Sequence, residues 1–547
     1  MIKIKLDIEK IILIIFVAVF LFIGPGNLFE HKIKHDFPYG YFASDSFQHQ
    51  TRAEAIKDSG NFRNEAPYIS KSLENIVGWY PPLLHHLAVI ISYIGGIEVY
   101  DSIYFSVFFF TIIGILVMYF IVKNFNKNIA LLSLPFAIIV LIHPASVGFT
   151  WGHWPSLVSQ SFLIAFFWSL MRIDLNKSYF FISAFLTSII MTHTSEAIFA
   201  IIFTVLFFSI RLISKKFEKK DFFTMLIVFF IAFVVSFYYL IIFKYTLAKG
   251  EPYSFAVQPI WDGNPGFYIA GFGILLIAMI FGILYSLLKF KDIHASMIMA
   301  FSMLIGGFLN YIGFGLRSFQ VRFFWPIYLA VFIGIGLFIP FKFLLRKWNL
   351  IYTLLLFSIF TLMLAGFFKV TYVPQYSYSS SRGIMDIYHW KALKWLSSNA
   401  ELNAKIYFFY GDIYSQDALL RNSKRIHYQV DPDDFVKAIN EHKIKRNYIS
   451  ELPGDSGALA VRESFFKIRD VSHDRPSQYF FGPQDICKFN YIVFDKYARQ
   501  QDLAKYNLLI ASEMVKKNFI KLVFENEVVV ILKNNNIGDD CIEERSF

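Results

Sequence analysis

Leu83-Leu84-His85-His86-Leu87-Ala88-Val89-Ile90-Ile91-Ser92-Tyr93-Ile94 is an apolar run of twelve residues, and whether it crosses a membrane decides how the chain is threaded. A helix that spans the roughly 30 Å hydrocarbon core needs about 20 apolar residues. Length therefore makes this run an interfacial or re-entrant helix. Eleven other apolar runs are read as spans, at 11–27, 101–122, 128–143, 155–171, 178–193, 195–214, 221–243, 266–288, 293–312, 323–341 and 348–368. Loop charges test the threading. With the N-terminus inside and 83–94 not crossing, the inside loops carry 17 Lys and Arg against four in the short outside loops (Lys244, Lys249, Arg317, Arg322). If the run crossed, 14 of those 17 would move outside, against the positive-inside rule. The expectation is a multi-pass cell-membrane protein with a cytoplasmic N-terminus.

Composition agrees. Of 547 residues, 56% are hydrophobic and only 17% charged, against about 25% charged in a soluble domain. The charges are uneven: residues 370–547 hold 24 basic and 23 acidic side chains, and most of the +11 net charge lies before them. Two parts follow, a membrane domain over 1–369 with one long outside loop at 28–100, and an extracytoplasmic α/β domain over 370–547. In the second part 389–396 has helical spacing, 405–410 and 491–495 read as strands, 503–517 as an amphipathic helix, and 523–532 as a hairpin turning at Asn526. The first apolar run lacks a small-x-small site and is read as a span, not a cleaved leader. A nearly neutral soluble part offers no nucleic-acid face. The two cysteines, Cys487 and Cys541, make no disulfide framework or metal pattern.

The most informative text lies in the long outside loop. Ala43-Ser44-Asp45-Ser46-Phe47-Gln48-His49-Gln50-Thr51-Arg52-Ala53-Glu54-Ala55-Ile56 reads as a helix capped by Ser44 or Asp45 and closed at Gly60. Asp45 and His49, four apart, share one face. Gly78-Trp79-Tyr80-Pro81-Pro82-Leu83 leads into the short interfacial helix. By residue type alone, Asp45 is an N-cap carboxylate as readily as a catalytic one.

An acidic residue opening a helix after the first span, a Tyr-Pro-Pro-Leu stretch before a second interfacial helix, and an outside α/β domain beginning near Ala392-Leu393-Lys394-Trp395-Leu396 together resemble the GT-C superfamily. These are membrane glycosyltransferases that use polyprenyl-phosphate-linked sugars, and they include oligosaccharyltransferases and protein mannosyltransferases. The resemblance implies a GT-C-like fold and places the main catalytic carboxylate on Asp45, with His49, Arg52 and Tyr80 as substrate contacts. Such transfer needs a base for the acceptor or a carboxylate holding a metal on the phosphate. Two departures from oligosaccharyltransferases stand out. The loop after span three, His143-Pro144-Ala145-Ser146-Val147-Gly148-Phe149-Thr150-Trp151-Gly152-His153-Trp154-Pro155, holds no carboxylate, and Phe408-Phe409-Tyr410-Gly411-Asp412 stands where they carry Trp-Trp-Asp. The expectation is a metal-independent transferase with no cofactor and no assigned metal ligands; a divalent Mg or Mn ion is the alternative.

Trp151 and His153 in that loop, and His193 and Glu196 at the junction of spans five and six, are further substrate-binding candidates. Structural histidines, interfacial tryptophans and a helix-starting carboxylate are the plainer readings. Trp154 is read with Trp151 as a sugar-stacking or interfacial ring. Arg317 and Arg322 lie outside against the charge trend, where the family binds donor phosphate; guanidinium suits that geometry, and headgroup snorkelling is the alternative. The function expected is inverting sugar transfer from a polyprenyl-phosphate-linked donor to a protein, lipid or glycan acceptor on the extracytoplasmic face. A lipid-linked sugar flippase or transporter is the competing class. Every Asp and Glu between 101 and 369 maps to a loop or span end, which leaves nothing acidic to relay protons in mid-membrane.

Overall fold

The computed structural model describes residues 7–26, 33–41, 44–60, 81–142, 144–213, 215, 217–248, 265–289, 293–312, 318–344, 350–371, 385–408, 413–421, 426–429, 489–496, 508, 511–512 and 514–537. In chain order the longer helices are α1 (Ile8–Leu21), α2 (Ser44–Ser59), α3 (Leu83–Gly95), α4 (Val99–Lys123), α5 (Lys127–Ser133), α6 (Trp154–Leu170), α7 (Ser178–Thr192), α8 (Thr194–Ile213), α9 (Lys219–Ala248), α10 (Leu275–Leu288), α11 (Ala295–Gly306), α12 (Ala330–Leu344), α13 (Leu350–Thr371) and α14 (Ile387–Asn399). Among the described residues five strands follow: β1 (Lys405–Phe408), β2 (Ile426–Gln429), β3 (Tyr491–Asp495), β4 (Ile520–Glu525) and β5 (Val529–Asn534). The chain forms two compact units. One comprises Met1–His35 and Trp79–Pro374, the other Asp36–Gly78 and Gln375–Phe547. Part of the long loop at 28–100, Asp36–Gly78, thus groups with the C-terminal residues.

The first unit is a multi-span helical membrane protein. Helix occupies all eleven expected runs, and α3 forms where the short twelve-residue run was read. Among the described residues four helical stretches are by themselves long and apolar enough to cross: Val99–Lys123, Ser195–Ile213, Lys219–Phe237 and Trp325–Leu344; the other apolar stretches, such as Leu275–Leu288 and Ile351–Leu364, run 10–17 residues. Several runs expected to be continuous are broken, each for a local reason. After α5 the chain tightens into a 3₁₀ helix over Leu134–Leu141, with Pro135 in its first turn, because proline has no N–H to give the α ladder. Run 266–288 divides into Pro265–Ala270 and α10, and Gly273 sits between them at φ +55. Run 323–341 follows the short helix Ser318–Arg322 and itself opens with another, Trp325–Tyr328, before α12.

Capping explains where several helices start. The Asn126 side chain accepts from the Asn128 and Ile129 amides at 2.9 and 3.1 Å to open α5. Gly96, at φ +60, closes α3. The buried Glu9 carboxylate ties α1 to α4, accepting from Lys123 at 2.5 Å and Tyr119 at 3.1 Å. Small residues set the tightest helix crossing. A Cβ built on Gly336 of α12 would lie 1.9 Å from the Ala278 carbonyl oxygen of α10, and one on Gly282 of α10 would lie 1.9 Å from that of Phe332. The pairs 278/336 and 282/332 are one turn apart and run in opposite senses, so α10 and α12 are antiparallel and touch backbone to backbone.

In the second unit the strands order β2-β1-β3-β5-β4, β1 lying parallel to both β2 and β3, with β3-β5 and β5-β4 antiparallel. β3 matches the expected 491–495. The hairpin turns at Asn526, whose side-chain oxygen accepts from the Val528 and Val529 amides at 2.9 and 2.7 Å. The helix expected at 503–517 lies largely outside the described residues. Asp386 caps α14, accepting from the Tyr388 and His389 amides at 2.8 and 3.0 Å. Trp390 of that helix is fully buried and donates to the Asp36 carbonyl at 2.8 Å. Phe37 and Phe47 pack against it with ring centroids 6.3 and 6.2 Å away.

Candidate functional site

The sequence candidates divide between the two units, and each group is built differently. In the second unit, α2 begins at Ser44 and carries Asp45 in its first turn, exposed; Gly60, at φ +61, follows its last residue. Most of the middle of the helix is enclosed. Phe47 is 0% exposed, His49 2% and Arg52 1%, and α2 packs on the short helical segments Ile413–Gln416 and Asp417–Arg421. Arg52 donates to the Gln48 carbonyl at 3.4 Å, one turn back on the same helix. Asp45 and His49 do lie one turn apart, yet one side chain faces solvent and the other the unit's interior. A mostly polar helix is held in place here by a few aromatic anchors, Phe47 against Tyr41 (5.1 Å) and Trp390. Tyr80 lies outside the described residues, as do Arg317 and His143.

In the first unit the central feature is a buried carboxylate. His193 stands between α7 and α8 in extended conformation (φ −159, ψ 126), and Glu196 lies in the first turn of α8, where the helix dipole favours a negative charge. Glu196 is 0% exposed. Its Oε1 accepts from Ser156 Oγ at 2.6 Å and its Oε2 is bonded to His193 Nδ1. The spacing of 193 and 196 was legible; Ser156, forty residues earlier on α6, was not singled out. His153, just before α6, stacks on Phe323 at 5.3 Å, and its Nδ1 accepts from Gln320 Nε2 at 3.3 Å. Trp151 is 48% exposed. Trp154, expected to offer a surface ring, is instead fully buried against Tyr104 and donates to the Phe149 carbonyl at 2.6 Å.

Arg322 is fully buried. Its Nε donates to the Gly307 carbonyl at 2.8 Å and its Nη2 to Asn310 Oδ1 at 2.9 Å, and Tyr268, Tyr311 and Trp325 surround the guanidinium with centroids 5.8–6.0 Å away. Snorkelling toward headgroups is therefore not what this side chain does: it is enclosed by protein. Two further His–carboxylate groupings escaped the sequence reading, one buried and one partly buried. His35 bonds through its backbone N–H (3.0 Å) and Nδ1 (3.1 Å) to the buried Asp101 carboxylate. In the second unit His389 lies between Asp386 (2.5 Å) and Asp495 (3.0 Å). Burial alone would lower the His389 pKa; the flanking carboxylates outweigh it and raise the imidazole to about 10. Among the described residues no group of three or more His, Cys, Asp and Glu side chains is placed to hold a metal ion.

Comparison with known proteins locates this architecture. No family model matches the sequence, and no curated protein matches it. Solved structures do. The chain is similar to ArnT from Cupriavidus metallidurans bound to undecaprenyl phosphate, at 12% identity, covering 95% of this chain and 97% of that one with a TM-score of 0.54. It is also similar to the Archaeoglobus fulgidus oligosaccharyltransferase in its apo form, at 13% identity over 92% of this chain and 73% of that one, with a TM-score of 0.54. The archaeal oligosaccharyltransferase AglB from Archaeoglobus fulgidus, in complex with an inhibitory peptide and a dolichol-phosphate, matches at 12% identity over 92% of this chain and 71% of that one, with a TM-score of 0.53. The chain shares its fold with these structures, the GT-C-like fold expected from the sequence.

Proposed function

We propose that this protein is an integral-membrane glycosyltransferase that moves a sugar from a polyprenyl-phosphate-linked donor to an acceptor on the extracytoplasmic face. What carries the reading is the GT-C-like fold, shared over almost the whole chain with a protein seen holding undecaprenyl phosphate and one seen holding dolichol-phosphate and a peptide. Asp45 is the proposed base: an exposed carboxylate in the first turn of α2, free of enclosure where its neighbours are buried. It takes the proton of the acceptor hydroxyl or amide as that atom attacks the anomeric carbon. The bond from that carbon to the phosphate oxygen breaks, the phosphate leaves on its lipid, and the anomeric configuration inverts. Arg322 and Arg317 are the proposed phosphate ligands, His49, Arg52, Tyr80, Trp151, His153, His193 and Glu196 substrate-side groups. No step is assigned to a metal, because the loop at 143–155 contains no Asp or Glu to supply a second carboxylate. The expected topology is eleven spans with a cytoplasmic N-terminus and residues 370–547 outside.

The test is sugar transfer by the purified protein in nanodiscs, offered radiolabelled polyprenyl-phosphate mannose, glucose or arabinose with a crude membrane and surface-protein extract. Labelled product that disappears in Asp45→Asn, with expression and thermal unfolding unchanged, is the expected result. Undiminished turnover by Asp45→Asn removes the residue from the mechanism. Labelled lipid that crosses reconstituted vesicles without being consumed replaces transfer with flipping.

A further inference from the structure

Two buried amides in the membrane unit have no place in the mechanism above. Gln160 lies one turn after Ser156 on α6 and is 0% exposed; Gln320, in the short helix Ser318–Arg322, is 2% exposed. Both use their nitrogen. Gln160 Nε2 donates to the Gln320 backbone carbonyl at 3.1 Å, and Gln320 Nε2 to His153 Nδ1 at 3.3 Å. Both leave their Oε1 buried with no hydrogen-bond partner. A buried acceptor left unmet costs about 1–3 kcal/mol, so two of them side by side inside a helical membrane bundle call for a partner. Methionine would fill the same volume without that cost.

The neighbours show what is missing. Ser156 spends its hydroxyl proton on Glu196, and Tyr328 spends its own on the Gln160 backbone carbonyl at 3.4 Å. Each amide nitrogen already donates within the protein, and the atoms left unmet are the two oxygens, so a ligand that meets them brings donors. A phosphate brings none and would be repelled by the adjacent Glu196 carboxylate. Hydroxyl groups bring one proton each at small desolvation cost.

We propose that the Oε1 atoms of Gln160 and Gln320 accept hydrogen bonds from hydroxyls of the sugar on the donor lipid, so that this buried strip is the sugar subsite. The proposal rests on the glycosyltransferase reading and assigns that reading's donor a contact on the sugar rather than on the phosphate. Its test compares two lipids on the full-length protein in nanodiscs: polyprenyl-phosphate mannose and the bare polyprenyl phosphate. Gln160→Met and Gln320→Met are each expected to weaken binding of the mannose-bearing lipid about tenfold, the size of one hydrogen bond, and to leave the bare lipid unchanged. Gln160→Asn, which keeps an amide but withdraws it by one methylene, is expected to show the same selective loss and covers the case in which a methionine variant does not fold. Equal loss for both lipids, or loss for neither, overturns the subsite while leaving the transferase reading in place. A wild-type protein that binds neither lipid overturns both.

Discussion

The α10/α12 crossing makes a demand that can be measured. In Gly336→Ala the new Cβ starts 1.9 Å from the Ala278 carbonyl oxygen and 2.7 Å from its carbon, both backbone atoms that no rotamer change can remove. Reaching even 3.0 Å means that the helices part by about 1 Å. Overpacking of this kind costs typically about 1–3 kcal/mol, and the contact being prised apart is the dispersion seam between two long helices. We expect Gly336→Ala and Gly282→Ala each to destabilise by roughly 2–3 kcal/mol. Because 282/332 and 278/336 are one turn apart, the separation forced by one alanine makes room for the other. The double variant should therefore cost at least about 1 kcal/mol less than the two singles together. Gly95→Ala is the control: its nearest neighbours are Ile97 side-chain atoms at 3.5–3.9 Å, and its effect should stay within about 0.5 kcal/mol. The assay is denaturant-induced unfolding of purified protein in mixed micelles, followed by tryptophan fluorescence. Gly336→Ala behaving like Gly95→Ala, or strict additivity in the double variant, would refute the backbone-contact argument.

Further expectations concern both units. Phe47→Ala removes a fully buried ring packed on Tyr41 and Trp390 and should cost about 3–5 kcal/mol, read as lowered unfolding resistance and faster proteolysis within 44–59. His389, held at about 10 by Asp386 and Asp495, is raised above its unfolded value near 6.5. Its contribution is fully present below about 6.5 and is lost as pH climbs through about 10, on the order of a few kcal/mol. His389→Leu should abolish that alkaline slope in unfolding measured from pH 6 to 10. Sugar transfer should survive EDTA, since 143–155 supplies no second carboxylate; EDTA-sensitive activity restored by Mg or Mn would reinstate a metal.

Legibility followed the range of the interactions. A hairpin at Asn526, a strand at 491–495 and a short helix after Pro82 are written in periodicity and turn chemistry within a dozen residues, and all three form. Asp45 in the opening turn of α2 was legible for the same reason. The enclosure of His49 and Arg52 was not: the helix is polar throughout, and the Trp390 that anchors its Phe47 is more than 300 residues away. Glu196 read as an ordinary helix-starting carboxylate because its partner Ser156 belongs to another span. Gln160 did leave a trace, a lone amide inside an apolar run, but a hydropathy reading averages it away. Pro135 left another, since it stands midway along a run counted as one continuous helix.

That proline changes how far its segment reaches. Lys127–Leu141 is fifteen residues long. Wound entirely as α-helix it would extend about 22 Å at 1.5 Å per residue. As built, seven α residues and eight 3₁₀ residues at roughly 2.0 Å each extend about 26 Å. The tighter winding makes a segment that is too short by count nearly match the hydrocarbon thickness, which spares the bilayer from thinning around it. A residue at 135 that let the α ladder continue would draw the two ends of the segment together by about 4 Å. The loop that carries Trp151 and His153 hangs from one of those ends, so the thickness of the surrounding membrane becomes a variable that acts on the site.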